Sequence, residues 1–280
     1  MKTYLECIPC FFKQALIASQ IAGADEVTQK KVLDKLSQMI PDFSLEQKPP
    51  EMGKDIYALV RDVTGNPDPF KEIKYRFNKI ALNLYPNLKK KVKESKDPLL
   101  TAIRLSIAGN VIDYGTPNSF NVDDEIDDTL KKDFAIFDYE KFKNSLTSTS
   151  QILYLADNAG EVVFDKILIE ELNKEIIYVV RDEPIINDAL IEDALFCEMD
   201  KVAKIISSGS DAPGTILEYC SKDFLEIYKN SKFVISKGQG NFEALSEETK
   251  PIFFLFKTKC YCSAKDVGCN IGDIILKSAL

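Results

Sequence analysis

The chemically richest stretch of the sequence is Asp157-Asn158-Ala159-Gly160-Glu161, directly after the apolar run 151–156. A further carboxylate, Asp188, follows the apolar run 176–180 in the pair Asn187-Asp188. Asp157, Asn158 and Asp188 are oxygen donors. Three such donors suit a hard divalent cation such as Mg²⁺ or Mn²⁺, whereas zinc prefers His or Cys. Two aspartates balance the cation's charge, and Asn158 adds an oxygen without adding charge. A dianionic phosphate is then not repelled. Lys237, Lys259, Arg181 and the helix N-termini expected near 161 and 212 supply a positive field. The combination suits metal-assisted phosphoryl transfer to water, in which positioning and electrostatics do most of the catalysis.

Each of these features also has a plainer reading. Asp-Asn before a helix is a common N-cap. Asn187-Asp188 reads equally as a turn with a cap. Residues 209–214 read as a βα loop, and Lys237 as a solvated lysine. Their shared place on one sheet edge brings the chemical reading level with the plain one, and spacing takes it no further.

That edge follows from the rhythm of the chain. Apolar, β-branched runs occur at 151–156, 176–180, 202–206, 232–235 and 252–256. Helix-like segments at 162–173, 185–196, 212–228 and 242–247 separate them. Alternation of this kind predicts βαβ units, a parallel sheet and helices on both faces. Ligands bind such sheets beyond the carboxyl ends of the strands. Every predicted strand end carries polar, glycine-rich or cationic residues: 157–161, Arg181-Asp182, 207–214, 236–241 and 257–259. Ser210, in the third of these loops, joins the candidate substrate contacts.

The first half reads differently. Ile8, Phe11, Phe12, Ala15 and Leu16 trace one helical face, and Val32, Leu36, Met39 and Ile40 trace another before Pro41. Further helices are expected near 51–63, 70–84 and 98–109. The polar stretch 143–150 marks the expected boundary, dividing a helical part (1–145) from an α/β part (151–280). The acidic run 123–133 reads as a solvated surface segment.

Composition narrows the function. Of 280 residues, 36 are Lys or Arg and 44 are Asp or Glu, for a net charge of −8. This balance argues against nucleic-acid binding and against a basic membrane-binding patch. Histidine is absent, which removes Ser-His-Asp and Cys-His pairs, HExxH zinc sites and imidazole bases. No run of 18 apolar residues occurs, and residues 1–10 do not read as a signal peptide. A reduced, soluble, cytoplasmic protein is expected. Oligomeric state is not readable.

Seven cysteines in so long a chain do not make a disulfide scaffold. Cys7 and Cys10 form C-x-x-C, and Cys260 and Cys262 lie near the other end. Four thiolates can hold zinc or an iron–sulfur cluster if the ends meet. The favoured reading is buried, reduced core cysteines.

The string 157–165, DNAGEVVFD, resembles the metal-binding signature of the damage-control phosphatases (domain of unknown function 89). So do 184–189, PIINDA, and 236–243, SKGQGNFE. Glu6-Cys7-Ile8-Pro9-Cys10, 65–69, 108–113 and 208–214 fit the compact prokaryotic branch of that family. The resemblance spans most of the chain. It implies a three-layer α/β/α, Rossmann-like core with a helical N-terminal part. It also implies metal-dependent hydrolysis of small phosphorylated metabolites, such as sugar phosphates or damaged cofactor phosphates. Asp157, Asn158 and Asp188 map onto the metal ligands, with Mg²⁺, Mn²⁺, Co²⁺ and Ni²⁺ undistinguished. Lys237 maps onto a phosphate contact. Asn110 and Asp113 map onto a Gly-Asn-x-x-Asp motif near the same cleft. Glu161 matches the signature glutamate, set one residue closer than in the eukaryotic-type signature, and either positions water or caps its helix.

Two chemical steps fit. A metal-bound water attacks phosphorus with Asp157 or Glu161 orienting it, or Asp157 attacks and forms an aspartyl phosphate. The first is favoured, because a carboxylate held on a cation is a poorer nucleophile. Two other functions also compete. One is a phosphate-ligand or nucleotide-binding protein without turnover. The other is an S-adenosylmethionine-dependent methyltransferase with Asp182 on the ribose. The single glycine of 157–161 ranks the latter last.

Overall fold

One seven-stranded sheet, in the order β1-β7-β6-β5-β2-β3-β4, organises the computed structural model, which describes residues 1–111 and 122–280. The strands are β1 (Phe134–Phe137), β2 (Gln151–Leu155), β3 (Glu175–Val180), β4 (Lys204–Ser207), β5 (Val234–Lys237), β6 (Ile252–Lys257) and β7 (Ile274–Ser278). Strands β2 to β6 run parallel; β7 pairs antiparallel with β6 and parallel with β1. Strands β2, β3, β5 and β6 are buried on both faces, which is why they read as unbroken apolar runs.

The helices are α1 (Cys7–Ile21), α2 (Glu26–Met39), α3 (Pro49–Thr64), α4 (Lys71–Glu94), α5 (Pro98–Ala108), α6 (Val122–Lys131), α7 (Tyr139–Thr147), α8 (Glu161–Leu172), α9 (Ile191–Phe196), α10 (Lys222–Asn230), α11 (Gly238–Leu245) and α12 (Tyr261–Val267). They form two outer layers. Ile152, Tyr154 and Ala156 face a core shared with α4, α5, α7 and α8. Leu153 and Leu155 face a second core shared with α1, α2, α3, α10 and α11. The alternation along β2 thus assigns its side chains to the two faces. The helices before residue 109 cover both faces, so both cores draw on residues from each side of the 143–150 stretch. Among the described residues no helix is long and apolar enough to cross a membrane.

Several elements differ from expectation. Strand β1 precedes the expected boundary, so the first part is not wholly helical; it is a short edge strand, half-buried at every second residue. Strand β7 was also unanticipated, since its pairing with β6 rather than its length holds it in place. Helix α4 continues through Pro86 to Glu94. The acidic run forms α6, with Ile126 and Thr129 buried. The segment 185–196 is α-helical only from Ile191, and 212–228 only from Lys222, after a single 3₁₀ turn at Leu217–Tyr219. The helix N-terminus expected near 212 is therefore absent. That of α8 at Glu161 is present.

Candidate active site

Strand β2 lies between β5 and β3. The chain leaves it outward to β3 and β4, then returns on its other side to β5 and β6. This is a topological switch point, where open α/β sheets leave a crevice. Asp157 emerges there from β2. The loop after β3 folds back onto it: Asn158 and Asp188 form an isolated antiparallel bridge. The Ala159 amide donates to Asn187 O (2.8 Å), and the Ala189 amide to Asp157 O (2.8 Å). Ile186 sits at φ +44°, a left-handed backbone that β-branched residues avoid, where the loop turns toward Asp157. The apolar spacing of 185–190 imitates a helix, but these backbone groups are paired with 157–159.

From β5 comes Gly238, at φ +79°. A Cβ there would lie 1.9 Å from Asp157 Oδ2, so only glycine leaves room for that carboxylate.

The side chains interlock. Asn158 Nδ2 donates to Asp157 Oδ2 (3.1 Å) and Glu161 Oε1 (2.8 Å). Asn110 Nδ2 donates to the same two acceptors. Arg181 Nε donates to Asp188 Oδ2 (2.8 Å). A cavity of about 180 Å³ opens over Asp157, Asn158, Asn187 and Asp188, with Gln239 and Lys259 on its wall.

Burial pushes the Asp157 carboxyl well above its usual range, and the charges of Glu161 and Asp188 push it further; Lys259 and Arg181 oppose them. Burial also raises Asp188, against the pull of Arg181. For Lys237, burial alone would lower the ammonium, but Asp165 and Glu161 outweigh it and hold it above the usual lysine range.

The residues expected at the site are placed as follows. Asp157, Asn158, Glu161 and Asp188 come together, and Asn110 joins them. Lys259 reaches the cavity wall. Ser210 is buried in its own loop, where its hydroxyl accepts from the Ala212 amide (3.2 Å). Asp113 lies outside the described residues. Lys237, expected to face phosphate, is 1% exposed; its Nζ donates to Ser106 O, Glu161 Oε2 and Asp165 Oδ1. Arg181, expected to add to the field, is 2% exposed and committed to Asp188. The charge count over two aspartates was therefore too small. The half-buried Asp157 and three buried carboxylates (Glu161, Asp165, Asp188) share two buried cations, Arg181 and Lys237.

Sequence reasoning passed over Asp165. Its signal was a carboxylate in the run 162–169, apolar but for Asp165 and Lys166, one turn beyond Glu161 and on the same helix face.

The chain ends also meet. Cys7 Sγ lies 3.8 Å from Cys262 Sγ, and Gln239 Nε2 donates to Cys260 Sγ (3.4 Å). All seven cysteines are free thiols. Burial raises Cys7 and pushes Cys262 up to about 12, as expected of unreactive core thiols; Cys10, by contrast, is exposed and Cys260 half-buried. Among the described residues, no three His, Cys, Asp or Glu side chains are grouped to hold a metal ion.

The model of the damage-control phosphatase ARMT1-like domain matches residues 3–275. The chain belongs to this family. An uncharacterized protein of Methanocaldococcus jannaschii is 36% identical, over 97% of this chain and 93% of its own. A damage-control phosphatase of Archaeoglobus fulgidus is 33% identical over 99% of both chains. The crystal structure of a DUF89 family protein from Pyrococcus horikoshii superposes with a TM-score of 0.91 over the whole of both chains, at 31% identity. The fold of this damage-control phosphatase family member is thus the fold of that relative throughout.

Proposed function

We propose that this protein is a phosphatase of small phosphorylated metabolites and works with a divalent cation. One observation carries the reading: the bridge from Asn158 to Asp188 sets two aspartates and an asparagine on one rim at the switch point of the sheet. The named relatives favour phosphate ester chemistry.

The residues fit a cation. Asp157, Asn158 and Asp188 offer oxygen ligands. Burial raises the pKa values of Asp157 and Asp188, and the neighbouring carboxylates raise them further; a cation bound among them would offset that repulsion. Asn110 Oδ1, next to Asp157, is a buried acceptor with no partner among the described residues. That no three acidic, Cys or His side chains are grouped among the described residues does not count against this set, because one of its three members is an amide. When bound, a divalent cation neutralises carboxylate charge and polarises a phosphoryl oxygen.

The chain's own groups do the rest. Lys259 adds positive charge on the cavity wall for the phosphate. Glu161 is wholly buried and holds the Asn110 and Asn158 amides in place, while Asp157, whose carboxylate lines the cavity, orients the attacking water and takes its proton. Water adds its oxygen to phosphorus, the P–O ester bond breaks, and the leaving alkoxide takes back the proton that the carboxylate received and departs as the alcohol. Asp157 Oδ2 already accepts from two amides, which favours water over Asp157 as the nucleophile.

The test is phosphate release from a panel of sugar phosphates and p-nitrophenyl phosphate. Chelator-stripped protein is reloaded with Mg²⁺, Mn²⁺, Co²⁺ or Ni²⁺, with Asp157→Ala as control. Release that needs both a cation and Asp157 is expected. If no cation restores release from any ester, the hydrolytic reading fails and phosphate capture without turnover replaces it.

A further inference from the structure

Asn241 lies in the first turn of α11 and is wholly buried. Helical side chains tilt toward the helix N-terminus, and this one reaches back under the rim. Its Nδ2 donates to Ala156 O (2.9 Å) and Lys237 O (2.7 Å), at the ends of the adjacent strands β2 and β5. Its Oδ1 accepts from Arg181 Nη2 (3.0 Å) and from the Thr215 amide and hydroxyl (2.8 Å each). Thr215 Oγ1 in turn accepts from Arg181 Nη1 (3.0 Å). All the hydrogen-bonding capacity of the amide is used.

Both lines of contact end at the candidate ligands. Ala156 precedes Asp157, so the amide holds the peptide that aims that carboxylate. Arg181, fixed on one side by Asn241 and Thr215, grips Asp188 Oδ2 through Nε on the other. We infer that Asn241 is a positioning residue that sets the spacing of Asp157 and Asp188, and so governs cation binding. It touches neither carboxylate itself. It acts through the Ala156 peptide and through Arg181. This inference deepens the reading under "Proposed function" and rests on it.

The experiment measures the Kd for Mn²⁺ alone, by paramagnetic resonance of the free ion. The proteins compared are wild type, Asn241→Ala, Arg181→Met, the double variant and Thr215→Val. Outer partners of metal ligands typically change affinity by about 10–100-fold, and a weakening of that order is expected for Asn241→Ala. Thr215→Val, which keeps the shape and loses the hydroxyl, weakens binding by a few-fold, on the order of one hydrogen bond. In the Arg181→Met background, Asn241→Ala costs less than it does alone, because one of its two routes is already cut. Circular dichroism establishes that each variant is folded; if Asn241→Ala does not fold, Thr215→Val decides. A wild-type Kd in folded Asn241→Ala or in Thr215→Val, or full additivity with Arg181→Met, overturns the inference while the cation reading stands. Absence of Mn²⁺ binding by wild-type protein overturns the cation reading and this inference with it.

Discussion

Lys237 Nζ lies 2.7 Å from Asp165 Oδ1, with both groups sealed from solvent. Asp165 also accepts from Tyr154 (2.7 Å) and Tyr178 (2.9 Å), and Lys237 also donates to Glu161. A line of buried polar groups thus runs from the middle of the sheet to the rim. Its inner end fixes Lys237, and Lys237 fixes Glu161.

Removing Lys237 leaves two buried carboxylates without their cation. Breaking a buried pair from one side costs about 3–5 kcal/mol, so Lys237→Met should lose stability of that order in urea denaturation. Adding Asp165→Asn should return part of the loss, because one uncompensated charge is gone. Equal stability of the single and double variants would show that the two groups are not coupled.

Gly238→Ala introduces two costs. The left-handed backbone costs roughly 1–2 kcal/mol for a residue with a Cβ. The methyl group also meets the Asp157 carboxylate, which must move. Cation affinity should therefore fall more than stability alone explains. Titration calorimetry showing unchanged affinity would mean that Asp157 does not bind in the orientation seen here.

Asn158→Asp replaces a donor shared by Asp157 and Glu161 with a third carboxylate. Hydrogen bonds to charged groups are worth about 1.5–3 kcal/mol each, so the chelator-treated variant should melt well below wild type. Divalent cation should recover much of the difference, yet phosphate release should stay low because the rim carries one more negative charge. Undiminished release would refute the charge argument.

The raised carboxyls give stability a definite pH dependence. Unfolded aspartate titrates near about 3.9, while folded Asp157 and Asp188 hold their protons to higher pH. Between the two values the native state binds more protons than the unfolded chain, so stability falls as pH rises and levels off above the folded value. The slope is at most about 1.4 kcal/mol per pH unit for each proton. Mn²⁺ competes with those protons, so its stabilisation should grow with pH. Melting curves from pH 5 to 8 in chelator should be shallower for Asp157→Asn than for wild type. Parallel curves would contradict the raised carboxyl.

The strands that carry the site were legible because they are buried on both faces. Runs such as EIIYVV and IFFLFK admit few other readings, and Asp157 and Asp188 follow from where such runs stop. Strand β7 was not legible, because pairing with β6 holds its five residues in place. The loop carrying Asp188 reads both as a helix and as a turn, because its apolar spacing matches a helix while its backbone pairs with residues about thirty positions earlier.

The sequence by itself determined the α/β layering, the donor types on the rim and the absence of imidazole chemistry. Those depend on composition and on local periodicity, which every short window of the chain contains. Only the tertiary structure decided that Arg181 and Lys237 are spent on buried carboxylates, and that Asn241 joins the ends of β2 and β5. Those outcomes depend on distances of about 3 Å between residues up to 85 positions apart. Burial then strengthens each pairing, and burial belongs to the packed molecule rather than to any segment of it.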